Sequence, residues 1–96
     1  MSDLHVVALI AAKPGSESVV HDALTELVGH TRQEEGCVRY DLFESAATPG
    51  TYVTVEEWTD QAALDAHLAS PHIAAALTTV GDALASPPAI HPLTPA

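Results

Sequence analysis

The chain has 96 residues, and its 13 acidic and three basic side chains give a formal net charge of −10 at pH 7. We expect one small domain over residues 1–96, and the acidity argues against both nucleic acid and an anionic membrane as partners. The first residues lack the features of a signal peptide and the single cysteine cannot form an internal disulfide, which together favour a cytoplasmic location.

The first third of the chain predicts a strand followed by a helix. Residues 4–12 are almost continuously apolar and end at a Pro-Gly turn at 14–15, as expected for a buried strand. From Ser16, a candidate N-cap, apolar residues recur at intervals of three and four. This spacing predicts an amphipathic helix of about five turns. Gly36 stands where a left-handed C-terminal cap is expected.

Two strands follow and predict a hairpin. Residues 37–44 alternate in polarity, which places Val38 and Tyr40 on the same face. Residues 51–58 are the partner strand, after a turn at 48–50. The side chains on one face of this second strand are Tyr52, Thr54, Glu56 and Trp58.

The second helical region is interrupted by a proline. Asp60, or the threonine before it, caps a short helix that carries His67. A serine and a proline then begin another helix, predicted over residues 71–84. Residues 89–93 predict a last short strand, in which Pro92 requires a position near a sheet edge or strand end.

The resulting order, β-α-β-β-α-β, is that of the ferredoxin-like α+β fold, with a four-stranded antiparallel sheet and helices on one face. Such a layer leaves the other face of the sheet uncovered. Because both faces of the predicted hairpin contain apolar groups, we expect two sheets to pack together in a symmetric homodimer, a dimeric α+β barrel.

Five short motifs, in this order, resemble the antibiotic biosynthesis monooxygenase (ABM) family, and within it the small quinol monooxygenases. They are Lys13-Pro14-Gly15, Thr31 to Cys37 leading into Tyr40-Asp41, Glu56-Glu57-Trp58, Ala66-His67-Leu68 and Ser70-Pro71-His72. The resemblance covers nearly the whole chain and implies a ferredoxin-like subunit in a dimeric α+β barrel. From characterised members it also implies oxygenation of hydroquinones or phenolic polyketides by O2 without metal, flavin or haem.

Two other functions are compatible with this fold. Some members of the family degrade haem with an asparagine, a tryptophan and a histidine, but Val7, His67 and Leu77 stand at or near those positions here. The resemblance therefore argues against a haem-handling protein. The alternative is a non-catalytic dimeric module that binds small aromatic molecules, because one fold serves many functions.

Oxygenation without a cofactor requires a base, a dry pocket and a donor for the charge that develops on oxygen. Imidazole is a suitable base because it titrates near neutral pH. His67 is the first candidate, and His72, close to the start of the next helix, is the second. Trp58 offers a flat apolar wall with an N–H donor, and Tyr40 offers a hydroxyl. Glu56 completes the predicted site, because a carboxylate on an apolar strand needs a partner.

Each candidate also has a structural interpretation. The histidines can hold the turn at Trp58 to the helices, the indole can anchor the core, and the tyrosines can lie in an interface. Glu56 can form an ion pair with Arg39, Arg32 or a histidine, and Cys37 is expected to pack rather than to act as a nucleophile. No metal site is expected, since the two candidate histidines are five positions apart across a proline.

Overall fold

The computed structural model describes residues 3–96, so the first two residues of the predicted domain lie outside it. The strands are β1 (Leu4–Ala11), β2 (Cys37–Glu44), β3 (Thr51–Trp58) and β4 (Ala89–Leu93), and the helices are α1 (Glu17–Thr31), α2 (Gln61–Leu68) and α3 (Pro71–Val80), followed by a 3-10 turn, Gly81–Ala83. Within residues 3–96, every helix is too short or too polar to cross a bilayer.

The four strands form one antiparallel sheet in the order β2-β3-β1-β4. The central strands β1 and β3 pair along their full length, from Leu4 opposite Trp58 to Ala11 opposite Thr51. Strand β4 lies at an edge, and Pro92, which has no N–H to donate, is tolerated there as predicted. With its helices packed on one face, the chain has the predicted ferredoxin-like α+β fold.

The core lies between the helices and one face of the sheet, which we call the covered face. Every second side chain of β3 is buried there, as the period of a strand requires. One part of the core surrounds Trp58 and Leu64. The other part is built from small and branched side chains, Ala8, Ile10, Val20, Ala23, Leu24, Leu27 and Val80, together with Tyr52. Burying each large aliphatic side chain contributes roughly 1.5–3 kcal/mol.

Both long helices are shorter than predicted. Helix α1 has 15 residues and ends at Thr31, with Arg32 still in a helical conformation at its C-cap. Gly36 has a positive φ of 87° but lies in the turn that enters β2, so its predicted role as the helix cap was wrong. Helix α3 ends at Val80, where Gly81 changes the chain to a 3-10 turn.

A bulge in β2 interrupts the predicted alternation. Cys37 and Arg39 pair with consecutive residues of β3, so Val38 has no partner of its own and is exposed. The extra residue allows Cys37 and Tyr40 to share the covered face. The prediction that Val38 accompanies Tyr40 was therefore wrong.

The opposite face of the sheet, which we call the open face, has an apolar centre. Three of its large side chains, Leu9, Phe43 and Leu93, are 40%, 50% and 45% exposed. Val7, Val53 and Val55 lie beside them in the strand register. A continuous apolar surface of this kind is typical of a protein interface, and the homodimer stays a prediction.

Candidate functional site

A cavity of about 230 Å3 lies between the covered face and the helices. Its walls are largely aliphatic and come from the sheet, from all three helices and from the segment before β4. The polar side chains that reach it are Tyr40, Thr54, Glu56 and His67. An apolar cavity with a few converging polar groups is typical of a small-molecule site.

The sequence around α2 explains how His67 enters this cavity. Asp60 caps the helix as predicted, because its carboxylate accepts a hydrogen bond from the Ala63 amide at 2.8 Å. Leu64 packs into the core, and His67, on the same side of the helix, is carried inside with it and is 2% exposed. Ser70 caps α3 and donates a hydrogen bond to the His67 carbonyl, which fixes the break between the two helices.

Glu34 is the site residue that the sequence did not identify. It lies in the turn between α1 and β2, where its amide donates to the Thr31 carbonyl at 3.0 Å and closes the end of the helix. The turn lies directly against the start of α2, since a Cβ atom on Gly36 would come within 2.6 Å of the Ala63 Cβ. Glycine is required here for this close approach and for its positive φ. The approach brings Glu34 to the histidines.

The Glu34 carboxylate joins both candidate histidines. Its Oε2 atom lies 2.6 Å from His67 Nδ1 and 2.7 Å from His72 Nε2. Because an ionised carboxylate can only accept, both ring nitrogens donate to it. A neutral His67 then carries its proton on Nδ1 and keeps Nε2 as an acceptor. The ring is also held by Trp58, whose centroid lies 4.7 Å away.

Glu56 is buried on β3, and its own strand supplies its partners. Thr54 Oγ1 donates to Oε2 at 2.6 Å, and Trp58 Nε1 donates to Oε1 at 2.9 Å. The alternative of an ion pair with an arginine or a histidine was wrong, because both arginines lie beside Asp41 and His67 contacts Glu34. The period of the strand places alternate residues on one face, so these three side chains meet without a cation.

Tyr40 lines the cavity with its ring centroid 5.5 Å from that of His67. Burial raises the pKa of Tyr40 well above its ordinary value of 10.0, and the negative charge of Glu56 raises it further, while the Thr54 hydroxyl opposes the shift. The Tyr40 hydroxyl is therefore protonated at neutral pH and can donate a hydrogen bond to a ligand.

Three of the five predicted site residues line the cavity, namely His67, Tyr40 and Glu56. Trp58 lies behind them, hydrogen-bonded to Glu56 and with its ring beside those of His67 and Tyr40. His72 lies on the other side of Glu34, in a second and more polar groove that also contains His30. The structure thus separates the two candidate bases, since one faces the cavity and the other faces the groove.

Comparisons with known proteins agree with this architecture. Residues 3–79 match the family model described as Antibiotic biosynthesis monooxygenase. The structure of Rv0793 from Mycobacterium tuberculosis has a TM-score of 0.89 at 36% identity, over 99% of this chain and 96% of that one. The structure of PA3566 from Pseudomonas aeruginosa has a TM-score of 0.91 at 28% identity, over 100% and 96%.

A relative from Escherichia coli K12, named Probable quinol monooxygenase YgiN, is 36% identical in an alignment of 93 positions that covers 84% of this chain and 88% of the relative. The family model, this relative and the two structures all extend over most of the chain. The chain belongs to the antibiotic biosynthesis monooxygenase family.

Proposed function

We propose that this protein is a monooxygenase that transfers oxygen from O2 to a quinol or related phenolic ring without a cofactor. The observation that supports this most strongly is the arrangement of His67, whose Nδ1 is held by Glu34 while its ring lines an apolar cavity. Nε2 is then available to accept the proton of a ring hydroxyl. The resulting phenolate gives an electron to O2 far more readily than the neutral phenol does.

The substrate itself supplies every electron that the reaction needs. With a simple hydroquinone, one oxygen atom of O2 forms a bond to a ring carbon, and that carbon loses its hydrogen. The other oxygen atom leaves as water, and the product is a hydroxyquinone. Four electrons pass from the ring to O2 in total, so an external reductant is not required.

The described contacts give each residue a distinct role. His67 takes the hydroxyl proton and can return it to the departing oxygen as water forms. Tyr40, which stays protonated, donates a hydrogen bond to the charge that develops on oxygen. Glu56 supplies the polar end of the cavity, where a second ring hydroxyl can donate to it. His72 contacts Glu34 and lies outside the cavity, so we assign it a positioning role.

The size of the cavity and the name of a relative favour a small substrate. An apolar cavity of about 150 Å3 binds benzene, so a cavity of about 230 Å3 accommodates one substituted ring. The Escherichia coli relative at 36% identity is named as a quinol monooxygenase. A single hydroquinone ring is therefore the substrate class that we favour over a larger polyketide.

We also propose that two subunits pair through the open face. Its three half-exposed side chains, Leu9, Phe43 and Leu93, would leave water on pairing. A two-fold contact uses the same surface on both subunits, which suits a flat apolar patch. This pairing leaves the cavity intact, because the cavity lies on the covered face.

Oxygen uptake by metal-free protein with a panel of substituted hydroquinones tests the proposed reaction. We expect rates above autoxidation of the same compounds without protein. His67→Ala should lower the excess rate by about 100-fold or more, since a positioned base contributes that much. The matched control is His21→Ala, which removes an exposed histidine of α1 and should leave the rate unchanged.

Two other outcomes would assign a different function to the protein. Uptake that never exceeds the blank, while the same compounds raise the temperature of unfolding, would identify a non-catalytic module that binds small aromatics. A Soret band after reconstitution with haem would identify a haem-handling protein.

A further inference from the structure

We propose that Glu34, His67 and His72 form a binding site for one divalent transition-metal ion of the Zn2+ class. The site lies on the Nδ1 side of the His67 ring, between the cavity and the groove that contains His72. The proposed oxygenation does not use a metal, so this site adds a second ligand to the protein.

The three donors are those that such ions select. Two imidazole nitrogens and one carboxylate oxygen hold zinc in one class of catalytic site, with a fourth position left for water or another ligand. The same set, two histidines and one carboxylate, binds non-haem iron. Here His67 Nδ1, His72 Nε2 and a carboxylate oxygen of Glu34 all lie within 4.8 Å of one another.

The donors must shift from their hydrogen-bonded positions to hold an ion. Zinc bonds of about 2.0–2.2 Å place tetrahedral ligands about 3.4 Å apart. The Glu34 oxygen lies 2.6 and 2.7 Å from the two nitrogens and must retreat by less than about 1 Å. The two nitrogens lie within 4.8 Å of each other and must take up the same spacing. The ion then replaces the two hydrogen bonds that now join these groups.

The surroundings hold the donors in place and leave a path for the ion. The His67 ring packs against Trp58 and Tyr40, and the His72 ring stacks on His30 with centroids 5.8 Å apart. The side chains of His72 and Glu34 are 22% and 14% exposed, so solvent reaches the site from the groove. The net charge of −10 attracts cations to this surface.

Metal binding would alter the proposed reaction, a consequence that rests on the proposed function. An ion on Nδ1 requires the proton of a neutral His67 to be on Nε2. The nitrogen next to the substrate then donates instead of accepting, and it cannot take the proton of a phenol. We therefore expect Zn2+ to inhibit oxygenation rather than support it.

Binding can be measured without any turnover. Metal-free protein is titrated with Zn2+ against a chromophoric chelator, and with Co2+, whose visible spectrum reports the number of ligands. We expect one ion per chain and a four-coordinate Co2+ spectrum. His72→Ala and Glu34→Gln should each weaken Zn2+ binding by at least about 100-fold, since loss of outer-shell partners alone costs 10–100-fold. His21→Ala is the control and should bind as the wild type does.

The proposal is overturned if wild-type protein binds no Zn2+ in competition with the chelator, or if the His72 and Glu34 variants bind as tightly as wild type. Both variants change partly exposed side chains, and circular dichroism checks that they fold. Zn2+ binding without oxygen uptake would leave the metal site standing and refute the oxygenase. Oxygen uptake without Zn2+ binding would refute the metal site and leave the oxygenase standing.

Discussion

The covered and open faces of the sheet come from the same strands, but they differ in where their polar side chains lie and in what these bind. On β3 the covered positions include Thr54, Glu56 and Trp58, which hydrogen-bond to one another inside the protein. The intervening positions, such as Val53 and Val55, form part of the apolar centre of the open face. On the open face, the charged side chains of Arg39 and Asp41 pair with each other.

This difference indicates which face can hold a catalytic site. An unpaired buried polar group costs about 1–3 kcal/mol, so the helix-covered side of the sheet keeps its two carboxylates, one on β3 and one in the turn before β2, only because each has donors within reach. Glu56 has two donors from its own strand, and Glu34 has two histidines. The open face lacks such a network among the described residues and has mainly apolar area to offer a partner. Chemistry is therefore expected on one face and assembly on the other.

The largest effect is expected from removing the indole of the covered face. Trp58→Ala should lower the free energy of unfolding by about 3–5 kcal/mol, because it opens a cavity and takes one of the two donors from Glu56. Urea unfolding followed by circular dichroism measures the change.

Two further variants separate the causes of that loss. Trp58→Phe keeps most of the ring but removes the N–H, so it should cost less than the alanine variant. Val38→Ala, at the exposed bulge of β2, should stay within about 0.5 kcal/mol of wild type. If Trp58→Ala cost no more than Val38→Ala, the covered face would not depend on its tryptophan.

The sequence predicted the fold well because its signals are local. The bounds of β2 and β3 follow from alternation and turn residues, and the structure has them as predicted. The end of α1 was missed because tight turns onto the Thr31 and His30 carbonyls close the helix before the glycine. Apolar periodicity does not report such turns.

The candidate site was predictable only where its residues follow a local pattern. Tyr40, Glu56 and His67 were found because strand and helix periods place them on inward faces. Glu34 was missed because its contacts are with residues 33 and 38 positions away. A glutamate two residues before a turn glycine is the one local signal that could have suggested it. The shared site of the histidines was missed because the break at Ser70 redirects α3, which a count of positions does not show.

An intermediate effect is expected from a charge on the open face. If two subunits pair there, Val55→Glu brings like charges together and should weaken dimerisation by at least about 100-fold. Analytical ultracentrifugation over a range of concentrations measures this. Ala62→Glu adds the same charge at an exposed position of α2 and is the control. A wild-type protein that stays monomeric at all concentrations would contradict the proposed pairing.

The smallest effect is expected in the pH dependence of the free energy of unfolding, to which Tyr40 on the covered face contributes. Below about pH 9, Tyr40 is protonated in both the folded and the unfolded chain, so it adds no pH dependence there. Above that pH the unfolded chain loses the proton first, because burial raises the pKa of Tyr40 in the folded protein. The unfolded state then binds fewer protons, and stability falls as the pH rises.

Tyr40→Phe should remove the part of the loss of stability at alkaline pH that comes from Tyr40. The measurement is the free energy of unfolding in urea from pH 7 to pH 11 for wild type, Tyr40→Phe and Tyr52→Phe. The pKa of Tyr52 is also raised by burial, but its hydroxyl bonds the Glu17 carbonyl at the other end of the covered face. We expect the difference between wild type and Tyr40→Phe to be constant up to about pH 9 and to shrink above pH 10, more than for Tyr52→Phe. A difference that stayed constant to pH 11 would mean that water reaches the Tyr40 hydroxyl, and the cavity would then not be the dry site that oxygenation requires.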